Sequence, residues 1–189
     1  MKLIVISLPA PAPNEHEIIN SLLEEGLEMF QIHKPSFSKE EIKDFIQQIS
    51  TKHQNKIFLH SDFSKFHSLS PPPSPPQGRG DLFFLSPIFD SISKTGYKSK
   101  FDLQEVKSFL QKQKALPMGK GLGWAPIALG GIDEGKIETC RELGFAGVAV
   151  LGAIWNSTNP IEKFKIIQKQ IMNTEQGIPN NGVEILRHS

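Results

Sequence analysis

Apolar positions along the chain form short continuous runs that alternate with stripes at helical spacing. Leu3–Leu8 is such a run, too short for a helix and of the length of a buried strand. Ile18, Ile19, Leu22 and Leu23 then line one face of a helix, with Asn14 and Glu17 as an expected capping signature and Gly26 as the stop. Met29–Ile32 predicts a second strand. Ser38 and Glu41 predict a capping box for a helix carrying Ile42, Phe45, Ile46 and Ile49. Lys56–Leu59 predicts a third strand and Leu82–Leu85 another, with Asp102 and Glu105 opening a helix through Leu103, Val106, Phe109 and Leu110. Ala125–Leu129 and the long run Gly147–Ile154 predict two more strands. Between them lies a helix through Ile137, Cys140 and Leu143, capped by Asp133 and stopped by Gly144. Asn159 with Pro160 at the first helical position starts a last helix along Ile161, Phe164, Ile167 and Ile171. Six strands alternating with helices argue for an α/β fold of parallel strands joined by helical crossovers.

Two stretches break the period. Residues 63–69 read as a helical turn or two, and Ser70–Gly80 holds five prolines with no apolar repeat, so it reads as an extended connector. Residues 117–124 are glycine-rich and lack the spacing of a nucleotide-phosphate loop, so they read as an insertion. The chain divides into one domain, residues 1–174, and a loose polar tail, residues 175–189.

Composition narrows the class. A net charge of +1 gives no basic field for nucleic acid, and no apolar run approaches a membrane span. The single cysteine, Cys140, excludes an intrachain disulfide and fits a reducing, cytoplasmic setting. On its helix stripe Cys140 reads as a small core residue. Met1–Leu8 reads as a first strand and not as a leader, because Pro9–Pro13 is no cleavage site. Oligomeric state leaves no mark in the sequence.

Candidate chemistry collects where parallel strands end. Those positions carry Gln31, His33, Lys34, His60, Asp62, Ser86, Gly130, Gly131, Leu151 and Gly152. After Pro87 come two hydroxyls and an ammonium, Ser91, Ser93 and Lys94, which suit an anionic oxygen cluster or an ordinary surface turn. Gly130-Gly131 lets a phosphate approach the backbone, or simply makes a tight turn. His33 and His60 stand at strand ends, whereas solvation accounts for His16, His53, His67 and His188. Trp155 either covers a bound ring or packs in the core.

Leu85-Ser-Pro-Ile-Phe-Asp-Ser-Ile-Ser-Lys-Thr-Gly-Tyr97, Ile127-Ala-Leu-Gly-Gly-Ile132 and Gly144-Phe-Ala-Gly-Val-Ala-Val-Leu-Gly-Ala-Ile154 resemble the thiamine phosphate synthase family. The likeness is strongest from Asp81 to about Lys169. It implies a TIM-barrel-like (β/α) fold that joins a pyrimidine methyl diphosphate to a thiazole phosphate, with Mg²⁺ and release of pyrophosphate. It also implies that Ser91, Ser93 and Lys94 hold the departing pyrophosphate and that Gly130, Gly131, Leu151 and Gly152 take the thiazole phosphate. Gln31 and Lys34 fall in the motif that grips the diphosphate. There the family's arginine is replaced by His33, a donor without the planar fork, and its final lysine by Pro35. By the same resemblance Lys94, Ser93 and His33 are the catalytic expectations, and Gln31, Lys34, His60, Ser91, Gly130, Gly131, Leu151 and Gly152 the substrate-binding ones.

The chain departs from the family in its middle. His60-Ser61 replaces the usual magnesium aspartate, leaving Asp62 one position late as the metal expectation, and the second aspartate has no counterpart. A crossover with its helix takes at least about 10–12 residues. The 18 positions 63–80 therefore cannot hold two strands and their helices, so strands four and five are expected to be missing. Related thiazole tautomerases, which need neither diphosphate nor magnesium, are an alternative; so is a non-catalytic or decayed relative that only binds the phosphorylated ligand.

Overall fold

Every residue of a parallel strand buried on both faces must find an apolar partner on one side or the other, and this chain divides them by alternation. Val5, Phe30, Phe83, Leu85, Ala128 and Val148 pack outward against helices, whereas Ile4, Ile6, Phe84, Ile127 and Ala149 form a separate inner cluster. A computed structural model describes residues 1–62, 64–66, 69, 82–92, 96–115 and 125–175. The expected connector 70–80, the insertion 117–124, Ser93, Lys94 and residues 176–189 of the tail lie outside the described residues.

The strands are β1 (Lys2–Ile6), β2 (Met29–Ile32), β3 (Ile57–Leu59), β4 (Ser64–Phe66), β5 (Leu82–Leu85), β6 (Ala125–Leu129) and β7 (Gly147–Val150). They form one parallel sheet in the order β3-β2-β1-β7-β6-β5-β4. The first and last strands of the chain meet at the centre, with Lys2 opposite Gly147 and Val5 opposite Val150. Phe84 shares the inner cluster with Ile4 and Ile6, although β6 and β7 separate β5 from β1 in the sheet. The sheet therefore curls around its inner face. This is a TIM-barrel-like architecture whose ends, β3 and β4, are not joined by any ladder among the described residues.

All six expected strands are present. The seventh, Ser64–Phe66, falls where a helical turn was expected, and pairs with β5 through Ser64 opposite Phe83. Three residues are too few to show alternation, and their pairing is set by a distant partner. A second correction concerns the run Gly147–Ile154, which leaves the strand at Val150 and turns into the short helix α5 (Gly152–Trp155). A buried helical turn and a buried strand look alike in a short apolar run.

The outer layer holds α1 (Glu15–Glu24), α2 (Lys39–Gln47), α3 (Leu103–Ala115), α4 (Ile137–Leu143) and α6 (Pro160–Glu175). Ser38 and Glu41 close the expected capping box on α2. Asp102 accepts from the amides of Gln104 and Glu105, and Asn159 from that of Glu162. Gly144 ends α4 at φ 99°. Asn14 behaves differently from expectation: it makes no side-chain cap and sits at φ 55°, a region asparagine tolerates better than most residues. No helix among the described residues is long and apolar enough to cross a membrane.

Candidate functional site

Because all the strands are parallel, their C-terminal ends share one edge, and a cavity of about 450 Å³ opens there. Its floor is the inner cluster, with Ile6, Phe84 and Ala149 lining it from β1, β5 and β7. Of the residues expected to bind or act, Gln31, His33, His60, Ser91, Gly130, Gly131, Leu151 and Gly152 all line this cavity. Ser93 and Lys94 fall between Ile92, which lines it, and Gly96, and lie outside the described residues. Lys34 is not among the lining residues.

The wall after β2 and β3 is built from side chains. Gln31 is 1% exposed and donates through Nε2 to Nδ1 of His60 at 2.9 Å, while its Oε1 is buried with no partner. An acceptor left without a donor costs about 1–3 kcal/mol, a debt that an N–H group on a ligand cancels. An orphan acceptor suits an amino N–H on a ligand. The His33 ring lies 4.5 Å from that of His60, centroid to centroid, tilted by 54°. His33 is also fixed by its backbone, whose N–H donates to the buried Ser7 Oγ at 2.8 Å.

Lys34 turns away from this wall. Its ammonium, fully buried, meets Glu15 Oε2 at 2.5 Å and donates to the carbonyl of Ala10 at 3.0 Å. The rings of Phe45 and Phe37 lie 5.0 and 5.6 Å from it. The phosphate-binding expectation for Lys34 is therefore corrected: an ammonium satisfied by a carboxylate, a carbonyl and two aromatic faces is committed within the protein.

The opposite wall is built from backbone. Gly130 and Gly131 adopt φ values of 97° and 67°. A Cβ on Gly130 would fall 2.8 Å from Pro87 Cβ, and one on Gly131 would collide with the carbonyl oxygen of Asp90. The pair thus lets the segment after β5 lie directly on the exit of β6, where Ile88 N donates to Leu129 O and Phe89 N to Gly130 O. The base of the hydroxyl-bearing loop is closed by Ser91 N donating to Tyr97 O at 2.9 Å, and by Ser99 N donating to Asp90 Oδ1 at 2.9 Å. Trp155 donates from Nε1 to Ile6 O at 2.7 Å and packs against the outer core, so of its two expected roles it takes the structural one.

No carboxylate, lysine or arginine appears among the described lining residues, and no described group of three or more potential ligands could hold a metal. Magnesium prefers oxygen ligands that include a carboxylate, so the described lining does not fit it. The backbone of Asp62 closes the turn His60–Asp62 after β3; where its carboxylate points lies outside what is described. Cys140 is buried with its thiol pushed up to about 12 by desolvation, which suits a core residue and not a nucleophile. Sequence reasoning missed Asn156, which lines the cavity just past α5, and Glu15. Asn156 could have been found as the first polar side chain after the last apolar run; Glu15 carried no signal beyond an acidic first turn.

No protein-family model matches the chain. A thiamine-phosphate synthase of Anoxybacillus flavithermus is 28% identical over 96 residues, a stretch covering 51% of this chain and 41% of that protein. The chain is also similar to the solved structure of thiamine phosphate pyrophosphorylase from Bacteroides thetaiotaomicron. That similarity has 26% identity and a TM-score of 0.67, and covers 92% of this chain and 98% of that one. A thiamine phosphate pyrophosphorylase from Pyrococcus furiosus shares the fold at 15% identity and a TM-score of 0.61, over 91% and 96% of the two chains.

Proposed function

We propose that this chain, which sequence and fold ally with the thiamine phosphate synthase family, joins hydroxymethylpyrimidine diphosphate to a thiazole phosphate in the cavity at the C-terminal edge of its sheet. The observation that carries this reading is the pairing of two unlike walls across one cavity. One wall offers, at Gln31, a buried acceptor for the amino N–H of the pyrimidine; the other is a glycine rim beside the hydroxyl-bearing loop.

In the reaction the C–O bond between the pyrimidine methylene and the diphosphate breaks, and both electrons leave with pyrophosphate. The thiazole nitrogen gives its lone pair to the same carbon, forming the C–N bond and a thiazolium. Negative charge grows on the departing oxygens, so donors near them lower the barrier. Ser91, Ser93 and Lys94 take that role. Gln31 Oε1 orients the pyrimidine, and His33 and His60 supply imidazole N–H groups from the facing wall. Gly130, Gly131 and the Leu151-Gly152 backbone take the thiazole phosphate. Holding both rings in one cavity supplies the proximity that a bimolecular step otherwise lacks. No step is assigned to a metal ion, since the described lining offers none of the carboxylates that would hold it.

Incubating the protein with both substrates and Mg²⁺ and following pyrophosphate tests this reading. Release is expected from the native chain and is expected to vanish in Lys94→Ala, with the melting temperature unchanged. A native chain that releases none is not a synthase. The lack of carboxylates in the described lining favours a second reading, a protein that only binds. In that case thiazole phosphate alone would raise the melting temperature without turnover.

A further inference from the structure

We infer that the buried Glu15–Lys34 ion pair is a latch that fixes the first wall of the cavity, which makes Lys34 a positioning residue. The wall in question is the segment leaving β1, where Leu8 and Pro9 line the cavity. Its backbone is held on either side of Pro9. Leu8 N donates to Glu15 Oε1 at 3.1 Å, and Lys34 Nζ donates to Ala10 O at 3.0 Å. The other oxygen of Glu15 meets the ammonium itself. One carboxylate and one ammonium therefore clamp a three-residue span between α1 and the exit of β2.

The clamp is dry, with the two side chains 2% and 0% exposed. A buried ion pair contributes little more to stability than an apolar pair of the same volume, because desolvation offsets the attraction. Its consequence lies instead in where it holds the chain. Proline has no N–H of its own to anchor the span, and the pair holds it instead by the Leu8 amide before it and the Ala10 carbonyl after it. Lys34 also follows His33 directly, and the His33 amide is bonded to Ser7. Leu8, Pro9 and His33, on adjacent sides of the cavity, are thereby fixed as one block.

The test uses Lys34→Met, Glu15→Gln and the double variant in the full-length chain. Each single variant strands one charge in the interior and is expected to melt well below the native protein. The double variant removes both charges at nearly constant volume and is expected to regain most of that loss. It cannot restore the bond to Ala10, so two readouts should stay displaced: faster hydrogen exchange at the amides of Leu8, Ala10, Ala12 and Asn14, and binding of phosphorylated thiazole weakened about tenfold. If exchange and affinity recover together with the melting temperature, the pair is merely structural and the inference is overturned. The choice of thiazole phosphate as probe rests on the proposed function. If the native chain does not bind it, that function falls, and the latch is decided by exchange alone: faster exchange in the double variant upholds it, native exchange overturns it.

Discussion

The two walls of the cavity are held by different forces. Across β5 and β6 the contacts run backbone to backbone: Ile88 and Phe89 donate to carbonyls at the β6 exit, and Gly130 and Gly131 permit the approach. Across β1, β2 and β3 one backbone bond, Ser7 N to Gln31 O, is joined by contacts that use side chains: Glu15 with Lys34, Gln31 with His60, and Ser7 with the His33 amide. A backbone-built wall depends on what is absent at two positions, and almost any side chain there obstructs it. A side-chain-built wall depends on several matched groups, each removable without a collision. The backbone-built wall should fail as a loss of fold and the side-chain-built wall, its charged Glu15–Lys34 pair aside, as a loss of ligand geometry.

Among substitutions that leave no charge stranded, Gly131→Ala gives the largest expected effect and strikes the backbone wall. It combines a left-handed φ with a collision against Asp90 and Phe89, and should destabilise by about 2–4 kcal/mol in urea unfolding. Gly96→Ala is its control: φ is 80° but, chain neighbours aside, no described atom lies within 4 Å of the added Cβ, so only the backbone term of about 1 kcal/mol should appear. Equal losses at the two positions would show that close approach at Gly131 is not what the wall requires. Ser7→Ala strikes the other wall by removing the acceptor of the part-buried His33 N–H, at a cost of about 1 kcal/mol. Calorimetric titration of that variant should show weaker binding of phosphorylated thiazole than its small stability loss explains. Native affinity would erase the distinction between the walls.

The same contrast governs what the sequence could disclose. Ser38 and Glu41 are three residues apart, and a capping box is a local pattern, so it was legible. So were Asp102 and Asn159, whose roles depend on their own backbone or immediate neighbours. Glu15 and Lys34 are 19 residues apart, Ser7 and His33 are 26 apart, and Gln31 and His60 are 29 apart. Only the curled sheet brings these partners together, and no periodicity encodes which acid meets which base. That is why Lys34 read as a phosphate ligand: its position at a strand end was correct, but the direction of its side chain was decided by a carboxylate on another element. Ser64–Phe66 escaped for the related reason that its strand character comes from β5. Asn14 misled because a good capping residue is also one that tolerates left-handed backbone.

The most direct test of the account follows the histidine imidazole resonances while phosphorylated thiazole is titrated into the native protein. His33 and His60 line the cavity, His16 lines a separate groove beside α1 and α2, and His53 lies against Glu24. Binding in the cavity should shift His33 and His60 together and leave His16 and His53 unmoved. Saturating ligand that leaves both cavity histidines unchanged would contradict the account.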